Sequence, residues 1–132
     1  MDTSITMAWC FLDEATAFTR AVLDRVGDTG ALVPVIWPFE VANTLLVGQR
    51  RRRLTEAQAT SFVHHLQALP ITVDDGALAA PWGAVLALGR HYGLSAYDAT
   101  YLELALRQGL PLATLDAQLR AAATQAGVPL VQ

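Results

Sequence analysis

The chain has 132 residues, 53% of them hydrophobic, and a formal charge of −3 from 12 acidic residues and nine Arg, with no Lys. Its length fits one domain, and the single Cys10 excludes a disulfide framework and a thiolate metal cage. No apolar run approaches the roughly 18–20 residues of a membrane helix, and an acidic chain argues against simple electrostatic binding of nucleic acid. The apolar content exceeds that of an ordinary soluble domain. Either the 23 Ala account for it, or a second copy or a partner buries one face.

In chain order, residues 4–12 read as a first helix. No basic residue precedes this stretch and Asp13-Glu14 follows it, so it makes a poor signal peptide, and a cytoplasmic protein with a reduced, buried Cys10 is expected. Residues 14–26 form an amphipathic helix, with Phe18, Val22 and Val26 spaced at four. Ala31–Pro34 follows Gly30 as a strand. Pro38 suits the first turn of a helix reaching Arg52. Thr55 and Gln58 make a capping box for a helix to Leu69. After Pro70, Ile71–Asp74 is the second strand. Asp74 or Asp75 opens a helix ending near residues 91–93, with Pro81 in its first turns or kinking it. Ser95 caps a helix running to Arg107 and stopped by Gly109. Residues 111–114 are a third strand, 117–126 a helix stopped by Gly127, and 128–131 a fourth strand. Alternating strands and helices predict an α/β fold. It is a single domain over residues 1–132, a three-layer α/β/α sandwich on a central parallel sheet of four to five strands.

Most acids lie at helix ends or among polar neighbours. Asp2, Glu40, Asp98 and Asp116 instead sit in apolar sequence, where an ionised carboxylate is costly unless it is paired or binds a cation. With Pro38 first in its helix, Glu40 is third; with Ser95 as N-cap, Asp98 is third. Both first turns favour negative charge through the helix dipole. Asp2 precedes the first helix and Asp116 ends a strand, at the sheet edge where α/β folds place their sites. Singly, each acid also reads as a cap or a dipole partner; the common edge favours a shared role. Hard oxygen donors select Mg²⁺ or Mn²⁺. A metal-activated water attacking a phosphodiester is the chemistry such a cluster suits. Ser4, Ser61 and Ser95 lack a nucleophile-elbow setting.

Four segments then carry a family resemblance: Asp2-Thr-Ser-Ile-Thr-Met-Ala-Trp, Phe39-Glu-Val-Ala-Asn-Thr-Leu-Leu, Gly93-Leu-Ser-Ala-Tyr-Asp-Ala-Thr-Tyr-Leu-Glu-Leu-Ala, and Gly109-Leu-Pro-Leu-Ala-Thr-Leu-Asp-Ala-Gln-Leu. In order and spacing the chain resembles the PIN-domain ribonucleases, and among them the VapC-type toxins of bacterial toxin–antitoxin pairs. The resemblance implies a Mg²⁺- or Mn²⁺-dependent endoribonuclease with carboxylates at Asp2, Glu40, Asp98 and Asp116. It also implies a homodimer and an antitoxin that blocks the site. Ser4 and Thr114 match hydroxyls flanking the first and last acids, and Asn43 lies one helical turn from Glu40. Family members carry apolar residues before the first Asp, as a central strand. Only Met1 precedes Asp2 here, so the first strand is expected to be truncated.

Arg50, Arg51, Arg52 and Arg53 read either as dipole-favoured cations at a helix end or as contacts to an RNA backbone. His64, His65 and His91 show no metal-ligand spacing. Trp37, Trp82, Tyr97 and Tyr101 are able to stack bases, though core or dimer packing suits their apolar settings better. Two other readings compete. One is a non-toxin metal-dependent phosphohydrolase, against which Asp2-Thr-Ser lacks the second acid of an Asp-x-Asp start. The other is a catalytically silent binding module, against which all four acids are present. Without those four, eight acids face nine Arg. The −3 then separates into an acidic pocket and a near-neutral body, and RNA binding should depend on the metal.

Overall fold

The computed structural model describes residues 1–79 and 81–132. Seven α-helices are present among them: α1 (Thr3–Cys10), α2 (Ala17–Thr29), α3 (Trp37–Arg50), α4 (Glu56–Ala68), α5 (Leu86–Tyr92), α6 (Ala96–Gln108) and α7 (Ala117–Gln125). Strands β1 (Ala31–Pro34) and β2 (Ile71–Asp74) pair in parallel, with Ala31 opposite Ile71 and Pro34 opposite Asp74. The α3–α4 hairpin connects them, as a parallel pair requires. No described helix is long and apolar enough to cross a membrane.

The helix starts follow the local chemistry read from the sequence. Thr55 and Gln58 close the capping box of α4, and the Ser95 hydroxyl accepts from the Asp98 N–H at 3.0 Å. At Gly30 (φ 77°), a Cβ would stand 2.9 Å from the Pro70 carbonyl, so β1 enters its pairing only through a glycine. The helix expected from Asp74 or Asp75 is broken. Gly76–Ala79 is a 3₁₀ turn and Pro81–Val85 a π-type turn before α5; Ala80 lies outside the described residues. Pro81 lacks an N–H, which interrupts α-helical bonding at that point. Helix α3 starts at Trp37 rather than Pro38, which makes Glu40 its fourth residue instead of its third, still in the first turn.

The expected sheet of four to five strands is the main correction. Only β1 and β2 form a sheet among the described residues, and the 111–114 and 128–131 runs contribute one parallel bridge, Leu112 to Leu130. Leu112 N–H donates to Pro129 O at 2.8 Å, and Val131 N–H to Leu112 O at 3.0 Å. Pro129 carries no N–H to give back across the ladder, so the pairing does not extend toward that end. Residues 1 and 2 lie between the two β pieces. The Met1 amine donates to Leu32 O at 3.4 Å and the Asp2 N–H to Ala113 O at 3.0 Å. Next to them a cavity of about 790 Å³ opens, lined by Met1, Ala31, Leu32, Leu112 and Ala113 among others.

Helix α6 runs through the middle of the core. Ala99, Tyr101, Leu102 and Ala105 are buried and share one core cluster with Val33, Trp37, Val41 and Leu119. A smaller cluster of Ile5, Val22, Val26 and Ala113 holds α2 under α1. Buried Glu103 pairs with Arg107 at 2.7 Å, and Arg107 reaches Asp74 at 2.5 Å. That ion-pair chain ties α6 to the end of β2 and holds the Asp74 carboxyl below the usual carboxylate range.

Candidate active site

The four singled-out acids stand at four helix N-termini. Asp2 is the N-cap of α1 and Asp116 the N-cap of α7; Glu40 and Asp98 lie in the first turns of α3 and α6. The capping reading holds for Asp2 and Asp116, whose side chains accept helix N–H groups, while Glu40 and Asp98 are first-turn acids. Each carboxylate occupies the positive end of a helix dipole.

Asp2 is 5% exposed and closely held. Its Oδ1 accepts from Ser4 Oγ at 2.6 Å and the Ile5 N–H at 3.3 Å, and its Oδ2 from Thr114 Oγ1 at 2.5 Å. Burial pushes its pKa above the carboxylate range, and these bonds partly offset the push. Thr114 Oγ1 also accepts the Asp116 N–H at 3.0 Å, and Ser4 Oγ accepts the Leu115 N–H at 2.9 Å. Ser4 and Thr114 thus fasten the Asp116 loop to Asp2. Asp116 Oδ1 accepts the Leu119 N–H at 2.7 Å, and its side chain is exposed.

Half-buried Glu40 is gripped by two hydroxyls on one oxygen. Thr3 Oγ1 donates to Oε2 at 2.7 Å, and the Tyr101 hydroxyl donates to the same atom at 2.5 Å. Asp98, also half-buried, has its pKa raised first by burial and then by the charges of Asp116, Glu40 and Asp2, with the Ser95 hydroxyl opposing. All four acids therefore share one electrostatic neighbourhood. Among the described residues no three His, Cys, Asp or Glu side chains converge closely enough to form a ready-made metal cage. The cluster is open.

The donor set nevertheless fits a hard divalent cation. Carboxylate oxygens are its preferred ligands, and Mg²⁺ keeps several waters and needs only one or two direct carboxylates. Mutual repulsion at Asp98 is the cost a cation would relieve. Arg120, bonded beside the site, gives its guanidinium to Thr114 O at 3.1 Å rather than to a carboxylate of the four.

Other candidate residues are placed as follows. Asn43 is exposed on α3, one turn past Glu40. Arg50, Arg51 and Arg52 are exposed at the far end of α3, about 15 Å along the axis from Glu40 at the α-helical rise. Arg53 is turned into the fold's own contacts. It pairs with Asp13 at 3.2 Å and Glu14 at 3.0 Å, and its guanidinium lies 4.0 Å over the Phe11 ring. Trp37 and Tyr101 are core residues, and Trp37 Nε1 donates to Thr6 Oγ1 at 2.9 Å. Trp82 and Tyr97 are exposed. His64 and His65 are exposed on α4, and the His91 ring meets Tyr92 edge-on. The free Cys10 is half-buried, and burial raises its thiol pKa, as an unreactive structural thiol requires.

Sequence reasoning missed Thr3 and Tyr101 as site residues. The signal was present: Tyr101 follows Asp98 by three residues, on the same helix face.

A search of curated proteins found no match. The PIN domain family model matches residues 1–125. PIN domains have an α/β fold and are in general metal-dependent nucleases that use divalent ions such as Mg²⁺ or Mn²⁺ and act on RNA. With nearly all of its length matched, and its acids gathered at the helix N-termini, this chain belongs to the PIN domain family.

Proposed function

We propose that this protein is a Mg²⁺- or Mn²⁺-dependent endoribonuclease and the toxin of a VapC-type toxin–antitoxin pair, with Asp2, Glu40, Asp98 and Asp116 as its metal-binding and catalytic carboxylates. The observation that carries the reading is the PIN domain match over residues 1–125, supported by the four acids standing at helix N-termini and by the charges of Asp116, Glu40 and Asp2 acting on Asp98. A divalent cation bound there supplies Lewis acidity, lowering the pKa of water and polarising a phosphoryl oxygen. The chain's own part is to hold the acids still. Asp2 is fixed by three hydrogen bonds and Glu40 by two, while Asp98 and Asp116 face the open side.

RNA as the substrate is supported by the rim. Phe39 and Tyr97, each the residue before a site acid, are 67% and 60% exposed and offer faces on which unpaired bases stack. Exposed Arg50, Arg51 and Arg52 lie within reach of a backbone running along α3, and Asn43 lies between them and Glu40. A cytoplasmic site of action follows from that substrate. The homodimer is supported by the large apolar residues Leu78, Trp82 and Leu86, all exposed, Trp82 at 86%. A second copy would cover them.

The test is cleavage of single-stranded RNA by purified, partner-free protein. Activity is expected with Mg²⁺ or Mn²⁺ and is expected to stop with EDTA. Asp98→Asn should lower the rate at least a hundredfold without changing the far-UV spectrum. Undiminished cleavage by that variant overturns the mechanism. Growth arrest on expression, absent with Asp98→Asn, tests the toxin role. A monomeric mass at micromolar concentration refutes the dimer.

A further inference from the structure

Glu40 differs from the other site acids in how it is held. Asp2 uses both oxygens within the fold, and Asp116 uses one as a helix cap. Glu40 takes two side-chain hydroxyls on a single oxygen, Oε2, from Thr3 on α1 and Tyr101 on α6. The two hydroxyl oxygens are themselves 2.9 Å apart. Three contacts share two protons, because each hydroxyl has one to give. With both aimed at the carboxylate, Oε2 is saturated and Oε1 is left as the oxygen free to bind.

Tyr101 is well placed for this role. It is 2% exposed, locked in the α6 core beside Leu102 and one turn from Asp98. A free glutamate side chain loses rotamer entropy when a ligand orders it. Prior fixing removes that cost from ligand binding.

We propose that Thr3 and Tyr101 are positioning residues that hold Glu40 by Oε2 so that it presents Oε1 alone to a divalent cation. The inference rests on the metal-dependent reading above. It adds that the ion's affinity depends on two hydroxyls that do not touch it.

The test is calorimetric titration of metal-free full-length protein with Mn²⁺, next to thermal melts in EDTA. Wild-type protein is expected to bind. Tyr101→Phe and Thr3→Val are expected to bind about five- to twentyfold more weakly, with Thr3→Ser restored to near wild type. Melting in EDTA should change far less than the affinity, which a merely structural role for the hydroxyls would not produce. Equal Mn²⁺ affinity in wild type, Tyr101→Phe and Thr3→Val overturns the inference and leaves the nuclease reading standing. No Mn²⁺ binding by the wild type overturns the nuclease reading itself. If Tyr101→Phe fails to fold, the Thr3→Val and Thr3→Ser pair decides alone.

Discussion

Thr114 and Asp2 stand 112 positions apart in the chain, yet the Thr114 hydroxyl donates to Asp2 Oδ2 at 2.5 Å inside the core. The Thr114 hydroxyl oxygen in turn accepts the Asp116 N–H at 3.0 Å. One threonine thus joins the first and last acids of the site. Thr114→Val keeps the shape and removes both bonds. It should cost roughly 2 kcal/mol, as for a hydrogen bond to a charged group, and should lower nuclease activity more than tenfold. Thr114→Ser should recover most of each loss. Urea melts and cleavage assays on the pair measure this, and a wild-type melt for Thr114→Val would refute it.

Acid titration separates the site from the rest of the fold. Asp2 and Asp98 have pKa values raised above the ordinary 3.8, in both cases first by burial. An acid raised in this way opposes folding while ionised. Its penalty is therefore relieved as pH falls through its folded value. Asp74 behaves oppositely. Its hydrogen bond from Arg107 lowers its pKa below 3.8, so its stabilisation persists above that range and is lost only as pH falls through the lowered value. From these groups, metal-free protein should gain stability as pH falls from 7 toward the raised folded values of Asp2 and Asp98, and lose it again in stronger acid. At pH 7, Mn²⁺ at a hundredfold excess over its Kd should add about 2.7 kcal/mol, or roughly 8–10 °C in melting temperature. That increment should shrink toward pH 5 as protons compete with the ion. Calorimetry at both pH values with EDTA or Mn²⁺ reads the effect, and a pH-independent increment would contradict it.

Phe39→Ala and Tyr97→Ala address the rim. Base stacking on an aromatic face is worth about 1–3 kcal/mol per base. Each variant should therefore raise KM for single-stranded RNA about five- to a hundredfold while leaving Mn²⁺ affinity unchanged. Fluorescence anisotropy with a labelled oligonucleotide, on the Asp98→Asn background, gives the affinity directly. Unaltered RNA binding by both variants would remove these residues from the substrate path.

The cavity of about 790 Å³ beside Met1 has β1 residues on one side and Leu112 and Ala113 on the other. Four or five apolar residues placed ahead of Met1 are expected to enter it as an extended strand. That strand would continue the bonds Met1 and Asp2 already make to Leu32 and Ala113. Such an extended variant should gain strand content by circular dichroism and melt several degrees higher. No change in either would show that the gap does not accept a strand.

Local chemistry made much of this architecture legible. The capping box at Thr55 and Gln58, the Ser95 cap and the glycine stop at Gly109 are short-range devices, and the structure keeps all of them. The parallel pair of β1 and β2 was likewise readable from two short apolar runs. The four- to five-stranded sheet was not, because ladder growth depends on which N–H groups face which neighbour. Pro129 cancels a donor where the third and fourth runs meet. Nor did the pattern show that the stretch after Asp75 breaks into 3₁₀ and π turns before α5.

The site divides in the same way. By itself, the sequence determined the places of the four acids at helix starts, because a cap or first-turn position is a local property. Only the tertiary structure decided which oxygen of each acid is occupied. Ser4 and Thr114 close on Asp2, Thr3 and Tyr101 on Glu40, and Arg53 turns toward Asp13 and Glu14. These bonds join residues from 2 to 112 positions apart. Their partners are chosen by how α1, α3, α6 and α7 pack, and no spacing along the chain encodes that choice.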